Sequence, residues 1–235
     1  MNDNGFADLF LKITGVIYLI LMGNALLALF TAPVWLLAFL TPLQQSWLAV
    51  AIVAPLIAPA VGAAFMTFET FVTDGSTAVV RTFVKGWAAL ARKALPLGAA
   101  GSGLAVVVGV DLYALSGTGL GGVATPVFLV AAVLGLVAIT TGLALIAVRR
   151  DTGRWEALKL GLVLGVRGGL WSLVSLVVIA LFGWMLLQHP ALALVLAPAP
   201  VLFVVWFNAR RALRPCLEQD GAATVGGTQE APCAI

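Results

Sequence analysis

The sequence predicts an all-α, polytopic membrane protein: six transmembrane helices arranged as three hairpins, with two cytoplasmic amphipathic helices. Three observations carry that expectation. Hydrophobic residues make up 62% of the chain and charged residues only 10%, a balance that does not clothe a water-soluble surface. Three stretches are almost free of charge: Ile13 to Phe68 has none, Ala94 to Val148 has only Asp111, and Gly168 to Ala209 has only His189. All thirteen Lys and Arg residues lie outside these stretches.

One crossing takes roughly 20 apolar residues, so each stretch holds two crossings and a turn. Turn signals divide them at Thr41-Pro42-Leu43-Gln44-Gln45-Ser46, at Ser116 through Gly122, and at Gln188-His189-Pro190. The helices are therefore expected near 13–38, 47–68, 97–115, 123–148, 168–187 and 191–209, in hairpins at about 13–68, 97–148 and 168–209. Orientation follows from the bases. Lys12, the cluster from Arg81 to Lys93, the cluster from Arg149 to Arg167, and Arg210, Arg211 and Arg214 all fall on one side of an even number of crossings. The positive-inside rule makes that side, and both termini, cytoplasmic. The expected location is a plasma membrane, crossed several times. The seven tryptophans agree, because each falls near an expected helix end, where rim aromatics sit.

The two internal basic connections are expected to be helices lying on the inner leaflet. After Asp74 and Ser76, the apolar residues Val80, Phe83, Val84, Trp87, Leu90 and Ala91 recur at helical spacing, with Arg81, Lys85 and Arg92 between them. A second such helix follows Asp151, with Trp155, Leu158 and Leu162 on one side and Arg154 and Lys159 on another. Arg81, Lys85, Trp87, Arg92, Arg154 and Lys159 thus form an expected surface for lipids or partners, and an anionic inner leaflet attracts such bases. The hairpin-plus-basic-helix unit occurs twice at a spacing of about 77 residues. Hairpin length alone also accounts for that spacing. Residues 1–215 form the expected transmembrane domain, and the polar tail 216–235 is expected to be disordered.

Residue types that carry chemistry are scarce. Gly117, Gly119 and Gly122 have dinucleotide-loop spacing but sit in a turn between two crossings, without the strand that such a loop needs. One His and two Cys, expected on opposite sides of a bilayer, make no metal or nucleophile cluster. Cys216 and Cys233 are expected to be free thiols in a reducing compartment, Cys216 being close enough to the membrane for lipidation. No cofactor, no metal and no nucleic-acid partner is expected, and the net charge of +3 is read as membrane-rim charge. The polar residues within the crossings are Asn24, Thr140, Thr141, Ser172 and Ser175, with Asp111 at an outer helix end. They are candidates for a solute path, although helix packing is the default role of Asn24 and a solvated rim that of Asp111. Ala60 with Ala64, and Gly161, Gly165 and Gly169, repeat every fourth residue, as in faces where helices approach closely. Such faces serve folding or homo-oligomerisation equally well.

Leu21-Met22-Gly23-Asn24-Ala25-Leu26-Leu27 in the first helix, Pro59-Ala60-Val61-Gly62-Ala63-Ala64 ahead of the inner loop, and Asp74-Gly75 followed by Phe83 resemble the YesL-like family of bacterial membrane proteins. The resemblance covers about residues 6–95. The founding domain of that family has no assigned function. Its members are often encoded beside carbohydrate ABC importers, so the resemblance implies an accessory role in sugar uptake, with importer subunits as partners. It implies no substrate and no catalytic residue. The expectation is thus a non-enzymatic accessory or assembly partner of a transport system, and the alternative is a small-solute channel or transporter in its own right.

Overall fold

Proline punctuates this bundle. Pro33, Pro96 and Pro126 lie inside helices that continue through them, whereas Pro55 and the pair Pro198 and Pro200 coincide with breaks. The structure, a computed structural model, describes residues 3–115, 121–149 and 152–226. Every regular element among them is helical. The order is α1 (Asp3–Leu40), α2 (Leu43–Val53), a 3₁₀ turn at Ala54–Leu56, α3 (Ile57–Asp74), α4 (Val79–Leu115), α5 (Gly121–Val148), α6 (Arg154–Arg167), α7 (Gly169–Gln188), α8 (Pro190–Leu196) and α9 (Pro198–Gly226). Five segments are long and apolar enough to cross a membrane: Ile13–Leu40, Gln45–Asp74, Val79–Leu115, Ala124–Val148 and Gly169–Gln188. The α8–α9 pair, bent by 55°, makes a sixth if it is one broken span.

Four features depart from the sequence-based expectation. The expected surface helix after Asp74 and the third crossing are one helix, α4, of 37 residues. At 1.5 Å per residue it is about 55 Å long, well beyond the roughly 30 Å of a hydrocarbon core. The buried face of its first half is Val79, Phe83, Gly86 and Leu90, while Val80 and Val84 point outward. The second span is broken by its 3₁₀ turn, and the last by the α8–α9 bend. Finally, α9 runs to Gly226, into the stretch expected to lack structure. Leu217, Glu218, Gln219, Ala222 and Ala223 there favour helix. The turn residues 116–120, Asp151 and Cys233 lie outside the described residues.

Tight packing concentrates in two antiparallel pairs, α3 with α4 and α5 with α6. Small residues make both pairs possible. Ala60, Ala63 and Ala64 are almost fully buried, and a Cβ on Gly98 would stand 2.7 Å from the Pro55 carbonyl oxygen. On the second pair, a Cβ at Gly161 would collide with the Ala138 carbonyl and one at Gly165 with the Val137 side chain. Ala157, Leu160 and Leu164 complete the buried face of α6, leaving Trp155 and Leu162 outside. The face that carries these glycines, and not the one that carries Trp155 and Leu162, therefore turns inward. Gly169 takes no part: it is exposed, and nothing lies within 4 Å of a Cβ there. Gly75 closes α3 in the left-handed region (φ 64°), its N–H donating to the Phe71 carbonyl at 3.1 Å, which turns the chain into α4.

Arg81 and Lys85 of α4 follow closely on the α3–α4 turn, and near that turn, at the basic end of the bundle, Arg210 of α9 meets Glu69 of α3. Outward faces along the shaft are apolar, with Leu21, Leu29, Leu129, Leu181 and Leu187 all more than half exposed. Water would not tolerate so continuous an apolar surface.

Replacing Gly161 by Ala is expected to destabilise the fold by about 1–3 kcal/mol through forced displacement of α5, whereas Gly169→Ala leaves stability unchanged or slightly raised. Thermal unfolding of the two variants in mild detergent checks this. Equal melting temperatures would contradict the close α5–α6 contact.

Candidate functional site

In an apolar setting a backbone N–H or C=O without a partner is costly, so each helix break creates groups that something must satisfy. Side chains do this at three breaks. Pro55 has no N–H to offer the Ala51 carbonyl, and Ser102 Oγ of α4 donates to that oxygen at 2.5 Å. Pro200 cannot serve the Leu196 carbonyl, and Asn24 Nδ2 of α1 donates to it at 3.1 Å. The same amide accepts the Ala199 N–H on Oδ1 at 2.6 Å. At the α6–α7 junction, Ser172 Oγ donates to the Gly165 carbonyl at 2.6 Å. Asn24 is 5% exposed and uses both halves of its amide to hold the broken α8–α9 segment.

Two cavities lie among these elements. The smaller, about 10 Å³, is bordered by Thr140, Thr141, Ser172, Ser175 and Asn208. That is roughly the least space that admits one water. Three of its polar side chains are already engaged: Asn208 Nδ2 donates to Ser175 Oγ at 3.1 Å, Ser175 Oγ donates to the Trp171 carbonyl at 3.0 Å, and Thr140 Oγ1 donates to the Leu136 carbonyl at 2.8 Å.

The larger cavity measures about 580 Å³ and lies at the level of the Pro55 and Pro198 breaks, walled by α1, the 3₁₀ turn, α3, α4, α5 and α7 to α9. Leu27, Val61, Leu136, Ile179, Phe182 and Leu202 give it an apolar lining. Its four polar side chains already have partners. Thr31 Oγ1 donates to the Leu27 carbonyl at 2.7 Å and accepts Trp35 Nε1–H at 3.1 Å, while Ser102 and Thr140 are engaged as above.

The basic end carries a third cluster. Arg210 Nη2 is 2.9 Å from Glu69 Oε1, and its guanidinium lies 5.5 Å from the centre of the Trp206 ring. Trp206 in turn packs with Phe68 and Phe203. Arg211 stacks at 4.4 Å on both Trp171 and Phe207. These aromatic platforms fix the C-terminal helix against α3 and α7.

Of the residues expected to form a solute path, the structure brings together Thr140, Thr141, Ser172 and Ser175 around the small cavity, and leaves Asn24 and Asp111 apart from it. Asp111 stands half-buried on the far part of α4 and lines neither cavity. Of the expected partner surface, Arg81, Lys85, Arg92 and Lys159 are exposed, and Arg154 opens α6. Trp87 is not on that surface: it packs against the core with its ring 5.3 Å from that of Phe30, because α4 folds back along α3 instead of lying flat. Sequence reasoning missed Ser102, Asn208 and the Glu69–Arg210 pair. A polar residue opposite a proline break is the signal that would have found Ser102. Nothing local pairs Glu69 with Arg210.

Asn24→Leu leaves the Ala199 N–H and the Leu196 carbonyl without partners, at about 1–3 kcal/mol for each group, whereas Ser102→Ala orphans one carbonyl and is expected to cost less. Melting temperatures of both variants in the same detergent check the order. An unshifted Asn24→Leu variant would contradict the clamp.

Comparison of the chain with known proteins gives no match: no family model fits it, and neither a curated protein nor a solved structure is significantly similar to it.

Proposed function

We propose that this chain is a multi-pass protein of a bacterial plasma membrane, crossing six times with both termini and all basic segments in the cytoplasm. In this reading it works without catalysis, as an accessory or assembly partner of a transport system. One observation carries that function furthest. Arg81, Lys85 and Arg92 stand exposed on the first half of α4, whose opposite face is locked into the core through Phe83 and Leu90. A basic ridge on a rigid, core-anchored helix is a preorganised docking surface for anionic lipid or an acidic partner face. The resemblance to the YesL-like family makes subunits of a carbohydrate importer the natural partners to look for.

A channel or transporter is the second reading, favoured by the grouping of Thr140, Thr141, Ser172, Ser175 and Asn208 around one cavity. Its weight is limited by the cavity's size, about 10 Å³, and by hydroxyls that donate to backbone carbonyls rather than to an open path.

Affinity purification of the full chain from native membrane in mild detergent is expected to recover transport subunits reproducibly, and the triple variant Arg81→Glu, Lys85→Glu, Arg92→Glu to lose them. Recovery of the chain alone, together with solute flux in proteoliposomes that the triple variant retains, would favour the channel instead. Membrane-impermeant thiol labelling of single cysteines at positions 85 and 189 in intact cells tests the orientation. The account expects labelling only at 189, and labelling at 85 would contradict it.

A further inference from the structure

We infer that the 580 Å³ cavity is a binding site for a long hydrocarbon chain, which enters from the bilayer between α5 and α7. The inference rests on the reading of the chain as membrane-embedded and is independent of the transport role. Four observations support it. The volume falls within the range of dedicated ligand pockets, about 300–1,000 Å³. The lining is apolar, and each of its polar side chains, Thr31, Trp35, Ser102 and Thr140, already has a partner within the protein. An occupant there gains nothing from a polar group and loses the hydration of any that it carries. The walls are also open on one side: among the described residues α5 and α7 touch only sparsely, α4 does not reach α7, and Val127, Leu129, Leu181 and Trp184 along these helices remain exposed.

The shape of the space selects a chain over a helix of a second copy. A helix about 10 Å across would fill this volume over only about 7 Å, little more than one turn, so no helix could seat in it without displacing a wall. A flexible acyl tail can follow the space and leave its head group outside the α5–α7 gap. The chemistry is a saturated or unsaturated hydrocarbon, supplied either by a membrane phospholipid or by a free fatty acid.

The test reconstitutes the full chain in vesicles of phosphatidylethanolamine and phosphatidylglycerol. One arm contains phosphatidylglycerol carrying a photoreactive diazirine in mid-chain, the other palmitic acid carrying the same group. After irradiation, adducts are mapped by peptide mass spectrometry. Adducts at Ala105, Leu136 and Phe182, within the cavity, are expected in at least one arm, together with adducts at outward Leu129 and Leu181. The arm that gives the interior adducts identifies the source. Ala105→Phe, which fills the cavity, is expected to cut the interior adducts several-fold and leave those at Leu129 and Leu181 unchanged. Should that variant fail to fold, Ala132→Phe fills the same space from α5 and carries the comparison. Labelling at Leu129 and Leu181 with none in the cavity overturns the inference while leaving the membrane reading intact. No labelling anywhere overturns both.

Discussion

A peptide group that loses its helical partner in an apolar environment must find another one, and this constraint fixes how the bundle is assembled. Proline interrupts the second span at Pro55 and the last at Pro198 and Pro200. The replacements come from other helices, Ser102 on α4 and Asn24 on α1. Each repair is therefore also a tertiary contact. Asn24 ties the first helix to the last, across 175 residues of sequence, and Ser102 ties α4 to α2. The two hydrogen-bonded breaks border the large cavity, so the same few polar atoms that satisfy the backbone also fix the helices that wall it.

Below that level the basic end is built differently. There aromatic rings carry the arginines, and Ala63 packs against Gly86; the same use of small residues recurs at cavity level, with Ala138 against Gly161. Gly75 turns α3 into α4 without strain because its backbone occupies the left-handed region. The outcome is a rigid end that presents Arg81, Lys85 and Arg92, joined to an opposite part whose apolar faces lie open. The proposed docking ridge and the proposed hydrocarbon site thus lie on different parts of the bundle.

Much of this architecture is written in one-dimensional patterns. Charge-free stretches mark the long helices, Pro42 and Pro190 mark turns, and the fourth-residue spacing of Gly161 and Gly165 marks a close helix contact. The hydroxyls at 140, 141, 172 and 175 could be picked out as the polar content of two helices, and they do converge. What escaped the sequence are the consequences of distant pairing. Pro96 resembles a helix boundary, yet α4 runs through it, because its first half is buried against α3 through Phe83 and Leu90. Trp87 resembles a rim aromatic until that burial turns it inward. Pro55 and Pro198 resemble tolerated kinks, and the partners that let them become breaks are a serine and an asparagine with no local mark of their task. Asn24 was legible as an amide that must face protein, and its role as a clamp required the fold.

Asn24 seals the break between α8 and α9, leaving the Ala199 N–H and the Leu196 carbonyl no need of water. Amide hydrogen exchange of the full chain in lipid vesicles tests this most directly. The account predicts that the amides of Ala199 and Val201 exchange as slowly as those of the helical turns on either side. Exchange at Ala199 as fast as in a water-exposed loop would show solvent in the break and contradict the account.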